Sequence, residues 1–200
     1  TAVWAQSNTR EAIWDAMKRK ETFATTGTRI KLRFFGSLDY GAISLDGDYL
    51  EQAYAGGVPM GGDLSGSGTP TFIVHAVRDP IWANLDRIQI IKGWLDENGR
   101  PQEKVYDVAW SGERAPGPDG KVPAVGSTVD VERGVYTNTI GAPELKGTWK
   151  DPDFDPDLPA MYYARAIEIP SPTWQLYDIL KYQIKDIPEN APLTQQERAW

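Results

Sequence analysis

The chain's single histidine, His75, stands between Val74 and Ala76 in a strongly apolar stretch, and there is no cysteine at all. With one imidazole and no thiol, a metal site rich in histidine, a zinc knuckle and a thiolate nucleophile are all excluded within these residues. No triad with a second histidine base can form either. The setting of His75 predicts a packed or edge-exposed strand residue rather than a ligand. A second candidate is the run Asp151, Asp153, Asp155 and Asp157. The first three have the spacing of the early oxygen ligands of a calcium loop. Pro156, however, takes the place of the turn-forming glycine, and Tyr162 that of the closing glutamate. The tract therefore reads as a solvated turn. The third candidate, Gly56 to Gly68, is rich enough in glycine for a phosphate cradle. Such cradles present N–H groups at a helix N-terminus, usually before a Gly-Lys-Ser/Thr run. Here the glycines lead into a strand pattern and no lysine follows, so a connection between strands is expected. No pair of carboxylates stands apart for acid–base work.

These residues must be positioned by elements whose periods are legible. Asn8 as N-cap with Glu11 three residues on predicts a helix carrying Ile13, Ala16 and Met17 on one stripe, with Lys18, Arg19 and Lys20 in its last turn. Beyond Gly27 the period falls to two. Ile30, Leu32 and Phe34 alternate with Lys31 and Arg33, and Phe72, Val74 and Ala76 alternate with Ile73, His75 and Val77. Further strands are expected over 86–92, 104–110, 135–140, 145–149 and 161–169. Turn signals separate them at Asn98-Gly99, Asp119-Gly120, Gly141 and the Pro/Asp tract. A weak helical spacing runs from Thr173 to Lys185. Strands without intervening helices predict a mainly β fold, an antiparallel β-sandwich with an N-terminal helix and a short C-terminal helix.

Composition agrees. Nineteen glycines and 15 prolines in 200 residues make the chain rich in turns, and 21 basic against 28 acidic side chains give a net charge of −7. An acidic balance argues against nucleic acid as a partner. No apolar run is long enough for a membrane span. Of the eight tryptophans, Trp94, Trp110 and Trp149 fall in or beside strands and are expected in the core or an interface. The alternative is a pair of exposed indoles stacking a sugar. Trp4 and Trp14, near the first helix, point to a surface that docks on something larger.

The runs Thr1 to Ala5, Asn8 to Ala16 and Thr22 to Ile30 together resemble a junction in the PHP (polymerase and histidinol phosphatase) superfamily of metal-dependent phosphoesterases. There the last helix of the catalytic barrel passes into an accessory domain. The runs Ala83 to Trp94, Glu103 to Ser111, Tyr136 to Ala142, Asp151 to Asp157 and Tyr163 to Pro170 are similar to the bacterial family of domain of unknown function 3604, over essentially the whole chain. The resemblance implies a C-terminal piece of a longer, exported protein, periplasmic or secreted. It divides the chain into 1–28, the terminal helix and connector of an absent barrel; 29–170, a β-sandwich accessory domain; and 171–200, a wrapping segment. It further implies a metal-dependent hydrolase in which a barrel-bound divalent metal activates water. No catalytic, cofactor-binding or metal-ligating residue carries over to this chain, whose principal partner would be its own missing barrel. A carbohydrate- or small-ligand-binding sandwich is the alternative.

Overall fold

The computed structural model describes every residue except Ala42. In chain order the elements are β1 (Ala2–Val3), α1 (Arg10–Lys18), β2 (Thr22–Phe23), β3 (Lys31–Ser37), α2 (Tyr49–Gly56), β4 (Val58–Pro59), β5 (Thr71–Val77), β6 (Leu85–Leu95), β7 (Pro101–Trp110), β8 (Glu144–Lys150), β9 (Ala160–Glu168), β10 (Ser171–Pro172), α3 (Trp174–Tyr182), β11 (Thr194–Gln195) and β12 (Arg198–Ala199). Two four-stranded sheets result, in the orders β4-β3-β5-β8 and β12-β9-β6-β7, with antiparallel neighbours throughout. The fold is mainly β and its sheets pack as a sandwich, as the strand periods predict.

Period-two alternation places the core. Leu32 and Phe34 of β3, Phe72, Val74 and Ala76 of β5, and Ile88 and Ile90 of β6 all turn into one buried cluster between the sheets. Phe35 and Ile73, on the opposite face of the first sheet, are also buried, because Tyr49 and Ala53 of α2 cover them. That sheet is therefore apolar on both sides at its centre, which is why Phe34 and Phe35 can stand next to each other without leaving one in water. The two sheets approach along β7 and β8. Along the opposite edge, between β4 and β9, they part around a cleft.

Both chain ends join this frame. Trp4 donates from Nε1 to the Leu32 carbonyl at 2.8 Å and stacks on Phe23. Residues 24–26 bond to one side of β12, whose other side pairs with β9. The C-terminal segment thus runs back across the sandwich.

Three local expectations are corrected. The cap of α1 is Thr9 and not Asn8: the Thr9 hydroxyl accepts from Ala12 N–H, so the helix begins one residue later. No strand forms over 135–140. There the Asn84 side chain donates to the carbonyls of Asn138 and Ile140, while Asn138 Oδ1 accepts from Asn84 N–H, so side chains take up the bonds a ladder would need. The Gly-rich segment is not wholly a connection, since it holds the end of α2 and all of β4. Helix α2 itself went unread in the sequence.

Gly141 shows how closely the last turn before β8 is fitted. It has φ +78°, and a Cβ there would lie 2.6 Å from Asn84 Cβ and 2.7 Å from Ile169 Cγ2. Gly141→Ala therefore meets both left-handed strain and a clash. A loss of about 2 kcal/mol or more is expected in urea denaturation, whereas Gly99→Ala, with φ +72° and open space around it, should cost about 1 kcal/mol.

Candidate functional site

The four aspartates of the 151–157 tract do not act together. Asp153, Asp155 and Asp157 are exposed, as a solvated turn requires, but Asp151 is 2 % exposed. Its Oδ2 accepts from Lys92 Nζ at 2.7 Å and from the Tyr162 hydroxyl at 2.6 Å, and its Oδ1 from Asp153 N–H. Lys92 also donates to the Asp153 carbonyl at 2.7 Å. An ammonium thus already stands against the carboxylate that the calcium reading would give to an ion. Farther out, Asp153 accepts from Lys104 and from the Tyr106 hydroxyl, both at 2.5 Å, which holds its carboxyl below the ordinary aspartate value. Burial, and then the bond to Asp151, drive the Tyr162 phenol upward. Because Lys92 lies on β6 and Asp151 just past β8, this buried pair clasps one sheet to the other.

His75 lies on the covered face of β5. Its Nε2 is 2.8 Å from Glu144 Oε1, and its Nδ1 is 2.6 Å from the Tyr49 hydroxyl. Burial holds it below the ordinary histidine value, with Glu144 pulling the other way. The neutral ring therefore accepts from the Tyr49 hydroxyl at Nδ1, while Nε2 faces the Glu144 carboxylate without a well-aligned hydrogen bond. Through the bond to Tyr49 the residue ties α2 to the sheet. Among the described residues no three histidine, aspartate or glutamate side chains converge on a point that would hold a metal.

The Gly-rich segment feeds β5, a strand, and so lacks the helix N-terminus of a phosphate cradle. It walls the cleft instead. That cleft, about 860 Å³, lies between the inner faces of the sheets at their parted edge. Its buried side is Leu32, Phe34 and Phe72, with Tyr162 beside them; Lys20, Asp63 and Asp157 stand at the exposed side. Phe34 and Phe72 stack at 5.2 Å between centroids, and Phe72 meets Tyr162 at 4.6 Å. The Tyr162 ring faces the cleft while its hydroxyl belongs to the clasp. The size suits a ligand site, its lining is mixed apolar and polar, and no imidazole is part of it. It can hold an apolar or extended group and has no base aligned on a nucleophile.

The tryptophans divide. Trp94, Trp110 and Trp149 are half-buried. Trp149 packs on Phe72 and Tyr106, and Trp110 donates to the Arg114 carbonyl. They form no exposed coplanar pair. Trp14 is 59 % exposed, whereas Trp4 packs on the core.

Sequence reasoning passed over the buried charges. Lys92, Asp86, Glu21 and Glu168 lie in strand-like or connecting text with no motif around them. Arg87 bridges Asp86 and Asp107 and donates to the Val122 and Pro123 carbonyls, pinning the long loop after β7. Glu21 receives Arg33, Arg19 and Tyr54. Glu168 differs: fully buried, with both carboxyl oxygens lacking a partner, beside the equally unpartnered Thr28 hydroxyl. Burial pushes it up to about 7, with Thr28 opposing and Glu197 adding. The alternating apolar residues of β9 force an inward position on it, and that period is the one signal that would have found it.

The architecture defines a class, an antiparallel β-sandwich with an inter-sheet cleft and, Glu168 apart, buried charges tied to partners. Within that class, the chain belongs to the family described as protein of unknown function (DUF3604), whose profile matches residues 1–200. No curated protein and no solved structure matches the chain.

Two outcomes follow from the buried charges. Asp151→Ala leaves Lys92 uncompensated and should lower stability by about 3–5 kcal/mol, most of it recovered by the double variant Lys92→Met with Asp151→Leu; equilibrium urea melts of the three proteins check this. For Glu168, a folded-state value near 7 against 4.5 unfolded means the fold holds the proton more tightly. Its contribution is present below pH ~4.5 and is lost as pH rises to about 7, a change of about 3 kcal/mol. Glu168→Gln should therefore gain on the wild type across that window, as pH-dependent melts will read.

Proposed function

We propose that this chain is the accessory β-sandwich of a metal-dependent hydrolase of phosphoesterase type, a packing and positioning module whose metal chemistry lies on a barrel domain outside these residues. The observation that carries the non-catalytic part is the fate of the charges. Glu21, Asp79, Asp86, Lys92 and Asp151 are all buried and all tied to partners within the sandwich. The imidazole of His75 is bonded to Tyr49 at Nδ1 and set 2.8 Å from the Glu144 carboxylate at Nε2. Groups held this way stabilise a frame and are not free to take up a substrate proton. The hydrolase part rests on the likeness of residues 1–30 to the junction behind a phosphoesterase barrel.

Helix α1 supports a docking role. It turns Ala16 into the sandwich and leaves Trp14 and Met17 at 59 % and 46 % exposure, so of the stripe expected to carry Ala16 and Met17 together only Ala16 is buried. Large apolar side chains left out together mark a contact surface. No helix among the described residues is long and apolar enough to cross a membrane. An exported, periplasmic or secreted setting is part of the same proposal and draws on the family likeness alone.

The test compares the 200-residue chain with the longer gene product joined to its barrel. The chain alone should leave p-nitrophenyl phosphate and bis-p-nitrophenyl phosphate intact with added manganese or zinc, and the joined protein should carry metal and hydrolyse one of them. Trp14→Asp should lower the melting temperature of the joined protein and leave that of the chain alone nearly unchanged. Chelator-sensitive hydrolysis by the chain alone overturns the reading.

A further inference from the structure

We propose that Glu168, the Thr28 hydroxyl and Asp79 form a buried site for one monovalent alkali cation, inside the sandwich and apart from the cleft. Glu168 is fully buried, and neither of its carboxyl oxygens has a hydrogen-bond partner. The Thr28 hydroxyl, 3 % exposed, lacks one as well. These are three of the five unpartnered buried side-chain atoms among the described residues, so the deficit is concentrated at one place. The surrounding backbone, by contrast, is fixed. Arg29 N–H, next to Thr28, donates to Asp79 Oδ2 at 2.9 Å, and Ile81 N–H donates to Asp79 Oδ1 at 3.2 Å. Glu168 N–H donates to the Glu197 carbonyl, and Ile169 N–H to that of Asn84. Gln196 Nε2 donates to the Glu168 carbonyl at 2.8 Å. The connector before β3, the turn after β5, the end of β9 and the segment before β12 thus enclose a carboxyl that none of them satisfies.

The chemistry of the occupant follows from the oxygens. With Glu168 ionised, the one hydrogen among the three unpartnered atoms is that of the Thr28 hydroxyl. Arg78 faces the carboxyl, but its Nη1 donates to the Trp82 carbonyl at 2.6 Å. Asp79 and Glu197 add negative charge from adjoining segments. A lone carboxylate in such surroundings is costly. A hard cation neutralises it and takes the carboxyl and hydroxyl oxygens together, and each Asp79 oxygen keeps a lone pair beyond its N–H bond. Calcium asks for six to eight oxygens, and no three acidic side chains converge here. One free carboxylate beside a neutral hydroxyl matches a single positive charge, since Asp79 is already met by two N–H groups. A water molecule would fill the hydrogen bonds and leave the charge. The proton is the rival ligand: it takes the same carboxyl, so cation and proton exclude each other. Bound there, the ion ties the connector at Thr28 to the end of β9.

The inference is independent of the hydrolase reading and is tested on the 200-residue chain itself. Thermal melts at about pH 8, above the Glu168 value of about 7, compare sodium, potassium, calcium and choline chlorides at equal ionic strength. At an alkali-ion concentration ten times Kd, the ratio of folded to unfolded protein should rise about elevenfold over choline, and the midpoint by about 3–6 °C. At about pH 5, where Glu168 holds its proton, that difference should vanish. Glu168→Gln keeps the shape, removes the charge and should melt alike in every salt. Glu103→Gln, which alters an exposed carboxylate, should keep the full alkali shift. Coincident melts of the wild type in sodium, potassium and choline at the higher pH mean that Glu168 takes only a proton, and they overturn the proposal. An alkali shift that survives in Glu168→Gln overturns it as well, because the ion then binds elsewhere. A shift with calcium alone rejects the monovalent site.

Discussion

The buried pair of Lys92 and Asp151 joins the two halves of the sandwich, and much of the arrangement follows from it. Removing an ammonium and a carboxylate from water is costly, and the cost is offset only when each finds further partners. The Tyr162 hydroxyl, the Asp153 carbonyl and the Asp153 amide supply them. To meet these needs, β6, the turn after β8 and β9 must come together at one point. The sheets are thereby drawn close on the side of β7 and β8, and the Pro/Asp tract is committed to holding the clasp. The aromatic row of Phe34, Phe72, Tyr162, Trp149 and Tyr106 runs from the cleft to that point.

A sandwich clasped on one side and parted on the other has two unlike edges. On the closed side, charged groups are neutralised in pairs and loops are pinned, as Arg87 and Arg114 pin the segment through Pro123. On the open side, the chain offers apolar rings and few charges. Binding by shape suits such a surface better than bond-making chemistry, which needs polar groups that can change partner or protonation state. Glu168 is the exception to the pairing of charges, and it lies within the packed interior rather than on the cleft.

This division fits a module that supports and positions. The family carries no stated activity, and the sandwich has few groups free to supply one. Helix α1 presents Trp14 and Met17 outward on the other flank, so contact surfaces lie on separate parts of the molecule.

The mainly β class, most of the strands, the inward faces of β3 and β5 and the helix after Thr173 were legible in the sequence. Each is written in a short-range period or a cap, and a period of two fixes the side on which Phe72 or Val74 falls without reference to the rest of the chain. The cap of α1 slipped by one residue because Asn8 and Thr9 are both good caps and only the local backbone selects between them. Residues 135–140 read as a strand, but the side chain of Asn84, far away in sequence, took their hydrogen bonds. Helix α2 was missed because eight residues give a weak periodic signal, and its stability comes from covering Phe35 and Ile73. The site was legible only as ingredients. Asp151 looked like its three solvated neighbours until β6 brought Lys92 to it across 59 residues. The cleft exists because two sheets part. Local sequence sets what each residue prefers, but burial, pairing and unpaired edges are properties of contacts between distant segments, and only the tertiary structure decides those.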